Sequence, residues 1–95
     1  MAGQLWVRIM KKNRIIESRT ADCTYGAWQA ALDEICHALD IGRPVILPRH
    51  ERDWESFGLT HFLPEHFLEP VSFDRMELQY IDPDRKKQKN FYAEL

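Results

Sequence analysis

The chain has 95 residues, of which 44% are hydrophobic and 12% aromatic, and its formal net charge is -2. This length leaves room for one hydrophobic core and excludes a second domain, and the composition excludes a disordered chain. The mild negative charge argues against a general nucleic-acid or anionic-membrane surface, and we expect a cytoplasmic protein because no apolar run approaches the roughly 20 residues of a membrane span and no signal-peptide profile is present.

Residues 4–20 predict a β-hairpin. Side chains alternate along the first half of this segment, so that one face is apolar and carries Leu5, Val7 and Ile9. A second extended run follows almost at once. A two-residue turn at Lys12 and Asn13 sets Ile9 opposite Ile16, a register that pairs like with like.

Residues 25–39 change to the helical period of 3.6 residues. Four apolar side chains fall within one narrow arc of this predicted helix, namely Trp28, Leu32, Ile35 and Leu39. We expect this arc to pack on the sheet. Asp22 or Thr24 can cap the start of the helix, and Gly42 followed by Pro44 favours its end, because glycine accepts the left-handed conformation and proline cannot continue a helix.

Residues 45–47 are a short apolar run between two prolines, which predicts a short third strand at a buried or edge position. Residues 49–70 lack a single clear period. Within them, residues 50–57 favour one or two helical turns that end at Gly58, and residues 63–67 favour a short helix with proline at its first position. We expect residues 49–70 to form a partly irregular connection.

Apolar and polar side chains alternate again along residues 73–81. This pattern predicts the last strand of the sheet, with one buried face and one solvent-exposed face. Residues 85–89 carry four positive charges, have no apolar period and are typical of a solvated tail. The sequence therefore predicts one α+β domain over residues 1–82 and a charged C-terminal tail over residues 83–95. The domain has a mainly antiparallel sheet of about four strands, in the chain order β-β-α-β-short helices-β, and one amphipathic helix on one face.

Several short strings occur in a characteristic order: Leu5-Trp6-Val7-Arg8-Ile9, Ile35-Cys36, Leu39-Asp40-Ile41, Pro44-Val45-Ile46-Leu47 with His50, and Phe73-Asp74. In this order the chain resembles a family of short uncharacterised bacterial proteins with no assigned activity. The resemblance spans roughly residues 4–81. It implies a fold and an intracellular setting, and it implies no catalytic residue.

A metal site is one hypothesis for residues 50–66, because imidazole and carboxylate side chains suited to zinc or iron crowd there. These side chains are His50, Asp53, His61, Glu65 and His66. Their spacing contains no HExxH motif, and the five-residue separation of the last two histidines splays them apart on a helix. The favoured interpretation is that they are polar residues of an irregular segment, with no metal ligand and no cofactor among them.

The two cysteines, Cys23 and Cys36, are too few for a secreted disulfide framework and form no CxxC motif. Cys36 flanks the apolar arc of the predicted helix, and Cys23 lies just before that helix. A nucleophilic thiol needs an adjacent base and access to substrate. We interpret both thiols as reduced and structural.

The same central segment combines aromatic and charged side chains, the residue types that anchor interfaces: Arg49, His50, Arg52, Trp54, Phe57, His61, Phe62, His66 and Phe67. No helical or strand period requires an aromatic side chain at position 54 to be buried. If the chain is a binding protein, we expect an exposed Trp54 on its surface, and we take Arg52, Asp53 and Trp54 as the candidate partner-binding residues. The alternative is that the aromatic side chains of this segment are buried and anchor the segment to the core.

The leading functional hypothesis is a small non-catalytic binding or regulatory protein, because no complete catalytic set is present. Its partner is an unknown protein or a second copy, reached by sheet-edge pairing or through residues 49–67. The second hypothesis is a small metal-dependent hydrolase or nuclease that uses His, Asp and Glu of residues 50–66. The third is an inhibitor protein from a mobile element. Nucleic acid is not favoured, because the basic run at residues 85–89 is a weak footprint on a net-negative chain.

Overall fold

Residues 3–82 are the part of the chain that the computed structural model describes, and the predicted tail at residues 83–95 lies outside it. Four strands form one antiparallel sheet in the order β2-β1-β4-β3. The elements are β1 (Gly3–Lys11), β2 (Arg14–Cys23), α1 (Trp28–Ala38), α2 (Pro48–Phe57), β3 (Leu59–Phe62) and β4 (Arg75–Ile81). The α+β class is confirmed, and no described helix has the length and hydropathy of a membrane span.

The hairpin turn lies where the sequence predicts it. Lys12 and Asn13 have φ angles of 53° and 63°, which is the backbone of a type I′ turn and matches the twist of the two strands. The predicted register beyond the turn is wrong by one residue. A β-bulge leaves Ile16 as the extra residue of β2, so that Ile9 faces Glu17 instead of Ile16.

The bulge decides which side chains are buried at the far end of β2. It shifts the rest of the strand so that Ala21 pairs with Leu5 and Cys23 pairs with Gly3. Because side chains alternate between the faces of a strand, this shift turns Cys23 towards the helix side of the sheet, where it is 8% exposed. Without the extra residue, the end of β2 would present its small apolar side chains to the open face.

The predicted packing arc of α1 is confirmed. Trp28, Leu32 and Ile35 are buried against the sheet, and Leu39 is half-buried against the same core. From the sheet, this core receives the alternating residues of β1 and β4, together with Phe62 of β3. The other face of the sheet is not covered by either helix. It carries polar residues of β1 and β4, such as Arg8, Glu77 and Gln79, together with Trp6 and Met10.

The predicted strand at residues 45–47 is wrong. This segment joins no ladder, and Val45 donates a backbone hydrogen bond to the His66 carbonyl at 2.8 Å. The third strand is β3, which follows α2 directly through Gly58, at a φ of 68°. Glycine accepts this left-handed conformation without a Cβ clash, so the chain can reverse and pair with β4.

Candidate binding groove

A groove of about 670 Å³ opens on the helix side of the sheet. One wall is the segment that leaves the C-terminus of α1, residues 39–43. The other wall is the connection into β4, residues 67–73. Ile9 and the bulge residue Ile16 of the hairpin complete the lining, and we call this cavity the loop groove.

The first wall is positioned by the way α1 ends. Asp40 takes a left-handed φ of 58° and donates its N–H to the His37 carbonyl at 3.1 Å. Ile41 donates its N–H to the Cys36 carbonyl at 2.9 Å, which completes a Schellman motif and satisfies two carbonyls at the helix end. The stop is therefore at Asp40 and not at the predicted Gly42, and it turns Ile41 back onto the core.

The floor of the loop groove is apolar and well packed. Ile9, Phe67 and Phe73 are each less than a tenth exposed, and the rings of the two phenylalanines meet edge to face at a centroid distance of 5.3 Å. The connection is tied to the hairpin because the Asp74 N–H bonds to the Met10 carbonyl at 2.8 Å. These contacts fix the position of the floor. The edge-to-face pair of Phe67 and Phe73 adds to the energy gained from burying the two rings.

The rim of the loop groove combines exposed apolar and acidic side chains. Leu68 is 86% exposed and Ile16 is 49% exposed. The acidic residues among the lining are Glu17, Asp40 and Glu69. The one basic lining residue, Arg43, is paired with Asp33 on α1 at 3.0 Å, and Glu17 is paired with Arg19 at 3.7 Å. Asp40 and Glu69 therefore leave the rim negative.

Two histidines of the central segment are used to start helical turns. The string Leu-Pro-x-His occurs at residues 47–50 and again at residues 63–66. In both copies the histidine Nδ1 accepts the leucine backbone N–H at 2.9 Å. The two imidazole rings, of His50 and His66, then meet edge to face with their centroids 4.8 Å apart.

The environment of both rings favours the neutral form. Burial lowers the pKa of His50 to about 4; repulsion from His66 when both rings carry a proton, and from Arg49, adds to the effect. Burial and Arg49 also lower the pKa of His66. Because Nδ1 accepts a hydrogen bond, the remaining proton of a neutral His50 ring lies on Nε2, a buried atom with no hydrogen-bond partner among the described residues.

The structure gathers only part of the candidate metal set. His50 and His66 are in contact, but each commits Nδ1 to the backbone, while His61 is exposed on β3 and Asp53 lies 3.4 Å from the Thr60 hydroxyl. Among residues 3–82, no three His, Cys, Asp or Glu side chains are arranged to hold a metal ion. The rings act as helix-capping groups in this arrangement.

The expectation that Trp54 is exposed is wrong. Trp54 is 2% exposed, its indole stacks on Trp28 at a centroid distance of 5.0 Å, and its Nε1–H donates to the Tyr25 carbonyl at 2.8 Å. Of the three candidate partner-binding residues, Arg52 is exposed and Asp53 is half-buried. Since Trp54 points into the core, the three do not form one surface with an aromatic centre.

Both thiols are buried and free. Burial raises the pKa of Cys36 to about 11, with Asp33 adding to the shift, and burial also raises the pKa of Cys23. A raised pKa suppresses the thiolate that acts as nucleophile or metal ligand. This matches the structural interpretation of both residues.

The open face of the sheet carries a charged network that is satisfied internally. Arg8 donates to Glu77 at 3.1 Å and to Gln79 at 3.0 Å, and its guanidinium lies 4.4 Å from the Trp6 ring centroid. Arg75 donates to the same Glu77 carboxylate. Although partial burial opposes the shift, Arg75 and Arg8 hold the pKa of Glu77 below its usual range. With both guanidiniums engaged, the residues of this face within the described range 3–82 offer no free basic patch for phosphate groups.

Sequence reasoning missed the loop groove because its lining comes from turns and connections, which carry no periodic signal. One signal in the sequence does point towards it, because Leu68 is a large apolar residue beside Glu69 and Pro70, outside any amphipathic pattern. Comparison of the chain with protein-family models, curated proteins and solved structures found no match.

Proposed function

We propose that this chain is a small non-catalytic binding protein whose loop groove takes an amphipathic, basic segment of a partner protein. One observation carries the proposal. An apolar groove of about 670 Å³ has at its rim a leucine, Leu68, that is 86% exposed. Contiguous apolar concavities with a few polar groups at the rim are the usual form of peptide and ligand sites.

The charges of the rim select the kind of partner. Asp40 and Glu69 leave the rim negative, because Arg43 is already paired with Asp33 and Glu17 with Arg19. A segment with apolar side chains for the floor and Lys or Arg beside them complements this field, whereas an acidic segment is repelled.

The test uses two fluorescent peptides of about ten residues that share the same Leu and Phe side chains and differ only in Lys or Glu at the flanking positions. We expect fluorescence anisotropy to show tighter binding of the Lys peptide to the full chain. Leu68→Glu should weaken that binding by about thirtyfold, since it places a charge where an apolar anchor must sit.

Phe57→Glu is the matched control, because Phe57 is also a large exposed residue, at 71%, and lies outside the groove lining. It should leave the affinity for the Lys peptide unchanged. Equal affinity for the Lys and Glu peptides, or equal losses in the two variants, would show that the groove does not select a basic amphipathic segment.

A further inference from the structure

The strand β2 forms a long exposed edge of the described sheet. It is ten residues long, whereas the opposite edge strand, β3, has four. All of its residues from Arg14 to Thr20 are exposed. The outer backbone groups of an edge strand are a template for pairing with another strand.

The charges along β2 restrict which strand can pair with it. They alternate in sign in the order Arg14, Glu17, Arg19 and Asp22. Unlike charges directly opposite each other stabilise an antiparallel pair, and like charges destabilise it. Of these charged residues, Glu17 and Arg19 share one face because they pair with Ile9 and Val7 of β1. The reversed sequence of β2 itself presents Arg19 and Glu17 in the complementary order.

We propose that β2 pairs antiparallel with β2 of a second copy, about a two-fold axis at Ser18. This register sets Glu17 opposite Arg19 of the second copy and, by symmetry, Arg19 opposite its Glu17. Within one chain these two side chains already pair at 3.7 Å on the same face. The dimer thus assembles four charges of alternating sign from two half-exposed pairs.

The neighbouring registers are less favourable. In an antiparallel pair with a two-fold axis, opposed residues share a face. Each alternative register therefore places the axis at another residue of β2, and never between two residues. An axis at Glu17 or at Arg19 sets like charges face to face. An axis at Thr20 sets no charged residue opposite another.

The bulge sets how far the ladder extends. Ile16 is the extra residue in the pairing with β1 and lines the loop groove. With Ile16 left out of the new ladder as well, the next opposed pair is Ile15 with Thr20 of the second copy. Ile15 is 51% exposed and pairs with Met10, while Thr20 pairs with Trp6, so both lie on the open face. Two β-branched side chains then meet across the interface, a favourable cross-strand pair.

The experiment measures the mass of the full chain by sedimentation velocity over a dilution series. We expect a dimer that dissociates on dilution and weakens as salt is added, because exposed ion pairs are screened. Arg19→Glu alone and Glu17→Arg alone should each weaken dimerisation by about tenfold or more. An equimolar mixture of the two variants should form a heterodimer, since every opposed pair is again unlike. The double variant with both changes should dimerise like the original chain.

Arg52→Glu makes the same charge change at an exposed position of α2 and should leave the dimer intact. A wild-type chain that stays monomeric at the highest attainable concentration overturns the proposal. A dimer that survives both single charge changes also overturns it, because its interface then lies elsewhere or is another strand pairing. Leu68→Glu should keep the dimer while losing the Lys peptide, which separates this inference from the proposed groove function.

Discussion

Acid should destabilise this protein between pH 6.5 and 4 because of the buried histidine at position 50. The folded-state pKa of His50 is about 4, against an ordinary value of 6.5. Its folded pKa is lowered, so the unfolded chain binds more protons in this window and the stability present above pH 6.5 is lost as the pH falls. His66 acts in the same direction because its pKa is also lowered.

The size of the effect follows from the two pKa values. Proton linkage for His50 alone removes about 2 kcal/mol of unfolding free energy by pH 5 and about 3 kcal/mol by pH 4. Domains of this size have total stabilities of about 5–15 kcal/mol, so the loss is a large fraction of the whole. Glu77 adds its own loss only at lower pH, because its carboxyl pKa lies below 4.5.

Urea denaturation followed by tryptophan fluorescence gives the unfolding free energy at each pH, since Trp28 and Trp54 are both buried. His50→Gln removes the titrating ring. It should reduce the loss of unfolding free energy between pH 7 and 5 to the contribution of His66. His37→Gln makes the same change on the exposed side of α1 and should keep the original slope. If His50→Gln loses as much stability over this range as the unaltered chain, the desolvated ring at position 50 is not the cause.

Three further outcomes test the packing. Trp54→Ala should lower the unfolding free energy by about 3–5 kcal/mol in urea denaturation, whereas Phe57→Ala, three residues further along α2, should change it by no more than about 0.5 kcal/mol; equal effects would contradict the burial of the indole. Leu32→Ala should cost about 2–5 kcal/mol, and a melting temperature within a degree or so of the original would refute the docking face of α1. Cys23 and Cys36 should react with a disulfide reagent at pH 8 only as the chain unfolds, because burial raises both pKa values; rapid reaction in the folded state would show that the thiols are accessible.

Local sequence determined the elements whose signals are complete within a few residues. The Lys12-Asn13 turn tolerates two positive φ angles, α1 carries an apolar arc at the helical period, and Gly58 accepts the left-handed stop of α2. The alternation in β4 likewise places Met76 and Leu78 in the core. In each case the residue types that suit the backbone geometry of the element are also those that the burial of one face requires. The sequence pattern alone therefore predicts the element.

The tertiary structure alone decided the features that depend on a partner element. Residues 45–47 have the apolar composition of a strand, but the place beside β4 is taken by β3, so they have no ladder to join. Trp54 has no periodic reason to be buried until Trp28 of α1 supplies a ring to stack on. The bulge at Ile16 serves the burial of Cys23 at the other end of the strand. The loop groove arises where the end of α1 meets the entry to β4, and such non-local contacts leave no period in the sequence because the residues that make them are far apart along the chain.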